Sequence, residues 1–134
     1  MSTLVDTSIG IDSGWFVGED KLFTLTVYLP GTTQAQVASN PLANQQDITG
    51  WSLQWDLRLS RYHPTVVLTK ATGSGIAILT QSGSTLGQLT IDIDRIDTQT
   101  KRAGTYYHGL ARTNAGLYDV VAEGSAVLRK AAVH

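Results

Sequence analysis

Residues 51–60 read Trp51-Ser52-Leu53-Gln54-Trp55-Asp56-Leu57-Arg58-Leu59-Ser60, large apolar side chains alternating without a break against polar ones. Successive side chains on a β-strand point to opposite faces, so a strict period of two describes a strand with one face in a core and the other in water. Two tryptophans on the inward face each bring about 150–250 Å2 of surface and mark the centre of that core. Gly50 ahead of the run permits a reversal with positive φ, and the Trp51 indole that follows plugs the end of the fold.

Working outward, Phe23, Leu25, Val27 and Leu29 alternate with Leu22, Thr24, Thr26 and Tyr28, and Pro30-Gly31 ends that strand. Beyond the central run, short strands are predicted over 65–70 and 76–80 on either side of Gly73-Ser74-Gly75. Leu89, Ile91 and Ile93 alternate against Gln88, Thr90, Asp92 and Asp94, and the polar stretch 94–101 has room for one helical turn. A strand starts at Gly104-Thr105-Tyr106, Thr113-Asn114-Ala115-Gly116 supplies a hairpin, and 117–128 returns as the last strand, with Glu123-Gly124 expected as a bulge. About seven to eight short strands separated by Gly, Pro, Asn and Ser, with no helix of about ten residues, describe an all-β sandwich or small barrel. The expected core centre is Trp51, Trp55, Phe23, Val27, Ile91 and Tyr106.

Two segments fall outside this pattern. Residues 1–13 show no sustained period and are expected to form an amino-terminal arm or a weak edge segment. Residues 30–50 form a polar connection of a length that is uncommon inside a compact domain and is usually either functional or partly disordered. Composition agrees with one domain over 14–130: the 134 residues are 42% hydrophobic and 16% charged, enough to build one core. Ten basic against eleven acidic residues give a net charge of -1, which disfavours nucleic acid and anionic membrane as partners. No apolar run approaches the roughly 20 residues of a membrane span, and the opening residues do not read as a secretory signal. With no cysteine, thiol chemistry and disulfides are excluded and the core must hold by packing alone.

The ordered set of devices resembles the immunoglobulin-like domains of tailed-phage virion proteins, being similar to the amino-terminal domain of baseplate upper proteins. The residues that carry the resemblance are the Thr-rich strand 21–29, Asp47-Ile48-Thr49-Gly50-Trp51, Gly75-Ile76-Ala77-Ile78, Gly87-Gln88-Leu89-Thr90-Ile91 and Ala103-Gly104-Thr105-Tyr106-Tyr107. The resemblance implies an immunoglobulin-like antiparallel β-sandwich and a virion building block of the tail, baseplate or capsid surface. The connection over residues 30–46 is longer than such domains usually have there.

Residues with chemical potential do not gather into a catalytic pattern. His63, His108 and His134 lie far apart; His63 reads as a surface turn residue, and alternation points His108 inward as a buried neutral imidazole bonded to a tyrosine or a carbonyl. Asp92, Asp94 and Asp97 lack the further ligands and the glycine of a calcium loop and read as a solvent face running into an acidic turn, with Asp92 and Asp94 able to pair with Arg58 or Lys101. No G-x-S-x-G or phosphate loop stands before a helix. The expectation is a protein without catalysis, metal or cofactor that assembles with copies of itself and with other virion proteins, and is located in the virion. Its candidate contact residues are Leu4, Val5, Ile9 and Trp15 near the arm and Gln34, Gln36, Asn40, Leu42 and Gln45 in the long loop. The alternative is a module binding glycans or surface polymers through exposed aromatics, for which Trp15, Tyr62, Tyr107 and Tyr118 are candidates.

Overall fold

The structure is a computed structural model that describes residues 5–6, 15–114 and 118–130. Its elements are β1 (Val5–Asp6), β2 (Trp15–Phe16), β3 (Lys21–Val27), α1 (Gln34–Ser39), β4 (Leu53–Arg58), β5 (Val66–Thr72), β6 (Gly75–Ile78), β7 (Gln88–Ile93), α2 (Arg95–Thr98), β8 (Gly104–Arg112) and β9 (Asp119–Arg129). The strands follow the order β1-β3-β7-β6-β5-β4-β8-β9-β2. They form one continuous mixed sheet that is nearly barrel-like, and its two halves, β1-β3-β7-β6 and β5-β4-β8-β9, form the layers and have the ABED and C′CFG orders of an immunoglobulin-like sandwich. All pairings are antiparallel except β2 with β9 and β5 with β6. The β5–β6 pairing is the corner at which the chain passes between layers, where Ala71 and Ser74 exchange backbone hydrogen bonds of 3.0 and 2.7 Å.

Alternation places the core as expected except at Leu29, Trp51 and Leu59. Phe23, Leu25 and Val27 on β3 share one buried cluster with Leu53, Trp55 and Leu57 on β4 and with Leu89, Ile91 and Ile93 on β7. A column of rings crosses between the layers. Phe23 meets Trp15 edge-on at a centroid distance of 5.3 Å, Trp15 lies 6.4 Å from Trp55, and Trp55 lies 6.3 Å from the His108 imidazole. Trp15 reaches this position because β2 pairs in parallel with the end of β9, Trp15 opposite Leu128. The Trp55 indole N–H donates to His108 Nδ1 at 3.4 Å, so an indole is one partner of this buried imidazole. At the start of β8 the Tyr106 hydroxyl donates to the Arg102 carbonyl at 2.5 Å. That bond is the tyrosine corner of immunoglobulin-like domains, in which the residue two further on is the second cysteine of the antibody pattern. His108 stands at that place here.

Several expectations are corrected. Trp15 is 1% exposed, so it is a core residue and not a contact or sugar-stacking residue. Trp51 is only half-buried and covers the edge of the core, with the Arg112 guanidinium 4.3 Å from its ring centre. The bulge falls at Val121, where Leu110 faces Ala122 and Ala111 faces Val120; Glu123 and Gly124 keep regular register with Gly109 and His108. The 30–50 connection is not structureless, since it contains α1. The expected helical turn in 94–101 is α2, with Asp94 as its cap. Leu4, Ile9, Ala115, Gly116 and His134 lie outside the described residues.

Trp15 Nε1 is buried with no hydrogen-bond partner among the described residues, whereas Trp55 Nε1 is bonded. A buried donor without a partner costs about 1–3 kcal/mol, and removing one member of a bonded pair leaves the other exposed to the same penalty. Trp15→Phe removes an unbonded donor; Trp55→Phe removes a buried hydrogen bond to His108 Nδ1. In urea unfolding, Trp55→Phe is expected to lower stability by about 1–3 kcal/mol more than Trp15→Phe. Equal losses would contradict the assignment.

Candidate functional site

The long loop is held to the sandwich by polar side chains that the sequence reading did not single out. Gln81, in the connection after β6, accepts at Oε1 from the Ile48 N–H at 3.0 Å and from the Gly87 N–H at 2.9 Å, while its Nε2 donates to the Leu79 carbonyl at 2.8 Å. Gln45 is 8% exposed and donates to the Ser84 carbonyl at 3.3 Å, so it is an anchor and not a contact residue. Its burial follows from the bridge it forms with Tyr28, which continues β3 past its last strand residue. Gly87 has φ +80, and a Cβ there would stand 2.6 Å from the Val27 carbonyl oxygen and 2.9 Å from that of Gln46. Only glycine lets β3, the loop and the start of β7 come this close.

On this base the loop presents a short helix to solvent. Thr33 and Gln36 form a reciprocal capping box, the Thr33 hydroxyl accepting from the Gln36 N–H and the Gln36 side chain accepting from the Thr33 N–H. A helix of six residues is marginal by itself, and the cap stabilises its first turn. None of its residues is buried. Gln34, Asn40 and Leu42 face solvent, and Leu42 at 62% and Leu29 at 42% exposure are large apolar side chains left in water. Gln36 is also exposed, but its amide is engaged in the cap, and Asn40 Oδ1 accepts from the Leu42 N–H. Val5 lies on β1 opposite Val27.

A second surface lies on the outer face of the β4-β8-β9 layer. Arg61 pairs with Glu123 at 2.6 Å, and its guanidinium lies 5.3 Å from the Tyr62 ring centre and 6.0 Å from that of Tyr107. Tyr118 and Val120 border the same shallow cleft, whose floor includes Asp56. Asp56 is nearly buried and accepts from Thr69 Oγ1 at 2.6 Å, with Gln54 and Arg58 as further donors. Three of the four aromatic candidates therefore meet on one side, and Trp15 does not join them.

The titratable groups take other roles than expected. Asp94 caps α2, Asp97 pairs with Lys70 at 2.8 Å, and Arg58 pairs with Asp56, so neither Asp92 nor Asp94 pairs with Arg58 or Lys101. The hydroxyl and N–H of Thr49 hold the Asp47 carboxyl below its ordinary value. Among the described residues no three His, Asp or Glu side chains come together as a metal site requires, and no helix is long and apolar enough to cross a membrane. No family model matches the chain, and no curated protein matches it.

Burial, followed by the Glu123 carboxylate, raises the Tyr107 phenol above its ordinary value, with Arg61 acting in the opposite direction. A phenol with a raised value keeps its proton longer in the fold than in the unfolded chain, so its contribution is present below about pH 10 and is lost as pH rises further. An NMR titration is expected to show Tyr107 ionising later than free tyrosine, and Glu123→Gln is expected to bring it closer. Ionisation of Tyr107 at or below the ordinary value would show that the cluster is not formed.

Proposed function

We propose that the chain is a non-enzymatic structural module of a virion, of the tailed-phage tail, baseplate or capsid-surface kind, that acts by associating with copies of itself and with neighbouring virion proteins. The observation that carries the reading is the loop over 30–46. Its backbone is fixed by Gln45, Gln81 and a capping box, yet α1 buries none of its residues, and Leu29 and Leu42 stand in water. Large apolar side chains on a fixed protrusion lower the entropic cost of docking and gain by being covered. A specific interface covers about 800 Å2 on each partner. The resemblance to virion immunoglobulin-like domains supports the choice of partner.

A second reading, a module for glycans or surface polymers, is favoured by the Tyr62, Tyr107, Tyr118 and Arg61 surface, because exposed rings gathered on one side suit stacking on sugars. The two readings use different faces and separate by mutation.

The intact chain is expected to elute as an oligomer in size-exclusion chromatography with light scattering. Leu42→Asp should shift it towards monomer, while Tyr118→Ala should leave the mass unchanged. The chain is also expected among the proteins of purified particles by mass spectrometry. A monomer at every concentration, together with absence from particles, would overturn the proposal, and loss of glycan-array binding on Tyr118→Ala would favour the second reading.

A further inference from the structure

We propose that the cleft between the turn after β2, α2 and the end of β9 is a binding site for a multiply charged oxyanion, with phosphate esters as the best-fitting class.

Of the ten basic residues, Arg58, Arg61 and Lys70 form ion pairs with Asp56, Glu123 and Asp97, and Arg112 lies on Trp51 and donates to Asn114. Among the other six, Arg95, Lys101 and Lys130 line a single cleft of about 500 Å3, and none of the three has a carboxylate within 4.0 Å among the described residues. Arg102 and Arg129 are their neighbours in the chain. Like charges gathered in a concavity raise one another's energy and focus a positive potential, a cost that a bound anion relieves.

The carboxylates nearest in the chain, Glu19, Asp20, Asp94 and Asp97, do not line the cleft. Glu19 accepts from the Phe16 N–H, Asp20 accepts from the Arg95 N–H and so joins the segment after β2 to α2, Asp94 caps α2, and Asp97 pairs with Lys70. The backbone polar groups of the walls are also engaged. The Val17 N–H donates to the Arg129 carbonyl, the Gly18 N–H to the buried Thr98 hydroxyl, and the Gln99 and Lys101 N–H groups to the carbonyls of Arg95 and Thr98. What remains for a ligand is three cationic side chains, the Gln99 amide and a small apolar wall of Val17 and Ala103.

This combination selects the ligand. A guanidinium fork matches two oxygens of a tetrahedral or planar oxyanion, and ammonium groups act as point charges for the others. Gln99 suits a hydroxyl beside the charged group, and the apolar wall suits a short carbon skeleton. A volume of about 500 Å3 is in the range of small-molecule sites. The Thr98 anchor gives the cleft its form, since it fixes α2 to the turn after β2 at 2.9 Å.

The test is an NMR titration of the full chain with inorganic phosphate, glycerol phosphate and citrate, against sodium chloride at matched ionic strength. Saturable shifts confined to the amides of 17–18, 95–103 and 128–130 are expected with phosphate and glycerol phosphate. Arg95→Gln and Lys101→Gln are each expected to weaken binding about tenfold, the loss of one charged hydrogen bond, with the dispersion of the spectrum reporting that each variant folds. Equal binding of citrate would support the oxyanion site and place carboxylates among its ligands. Shifts equal to those with chloride, shifts spread over the face around Lys21 and Lys70, or affinity unchanged in both variants would overturn it. None of these outcomes depends on the assembly reading, which uses the long loop and α1.

Discussion

The two layers of this protein depend on a column of four rings, Phe23, Trp15, Trp55 and His108, that spans the interior from β3 to β8. Antibody-type sandwiches place a disulfide against the buried tryptophan of the third strand, joining the second and sixth strands. This chain has no cysteine, and the column occupies the equivalent space. Non-covalent packing of large rings gives no chain-entropy gain of the kind a crosslink gives, so the cohesion comes from buried apolar area and ring geometry. The short strand β2 is required for it, because only its parallel pairing with β9 brings Trp15 between Phe23 and Trp55.

A core closed in this way leaves function to the outside, and polar side chains fix the outside in place. Gln81 ties the long loop to the β6–β7 connection, and Asn114 does the same at one end of the sandwich. Its amide oxygen accepts from the Ser52 N–H at 2.8 Å, and its Nδ2 donates to the Gly50 carbonyl at 3.0 Å. Each of these bonds joins segments distant in sequence, so side-chain amides do the work that ladder hydrogen bonds do within the strands. The loop is therefore a fixed platform, with its anchors turned inward and Gln34, Asn40 and Leu42 turned outward.

Strands with clean alternation were legible in the sequence. Phe23, Leu25 and Val27, or Leu53, Trp55 and Leu57, need only the period of two and one dry face to be placed correctly. Local pattern failed where position was set by partners far along the chain. Trp15 carries no periodic context, and its burial follows from Leu128, more than a hundred residues later. Gln45 and Gln81 read as loop polarity because their carbonyl and amide partners are visible only in three dimensions. The cationic cleft was not legible for the same reason, since Arg95, Lys101 and Lys130 converge only after β9 folds beside α2. The bulge was misplaced because Gly124 marks a conformational freedom that the register does not use.

The isolated chain, without cysteines or partners, is expected to form its ring-centred core and to carry a preformed loop. Residue-resolved amide hydrogen exchange on the isolated protein tests this most directly. Ile48 and Gly87, bonded to Gln81, and Val27 and Gln46, bonded to backbone carbonyls, should exchange slowly. The exposed amides at the start of α1 should exchange fast. Rapid exchange of Ile48, Gln46 and Gly87 alongside protected strands would mean that the loop is not held until a partner arrives, and would contradict the account.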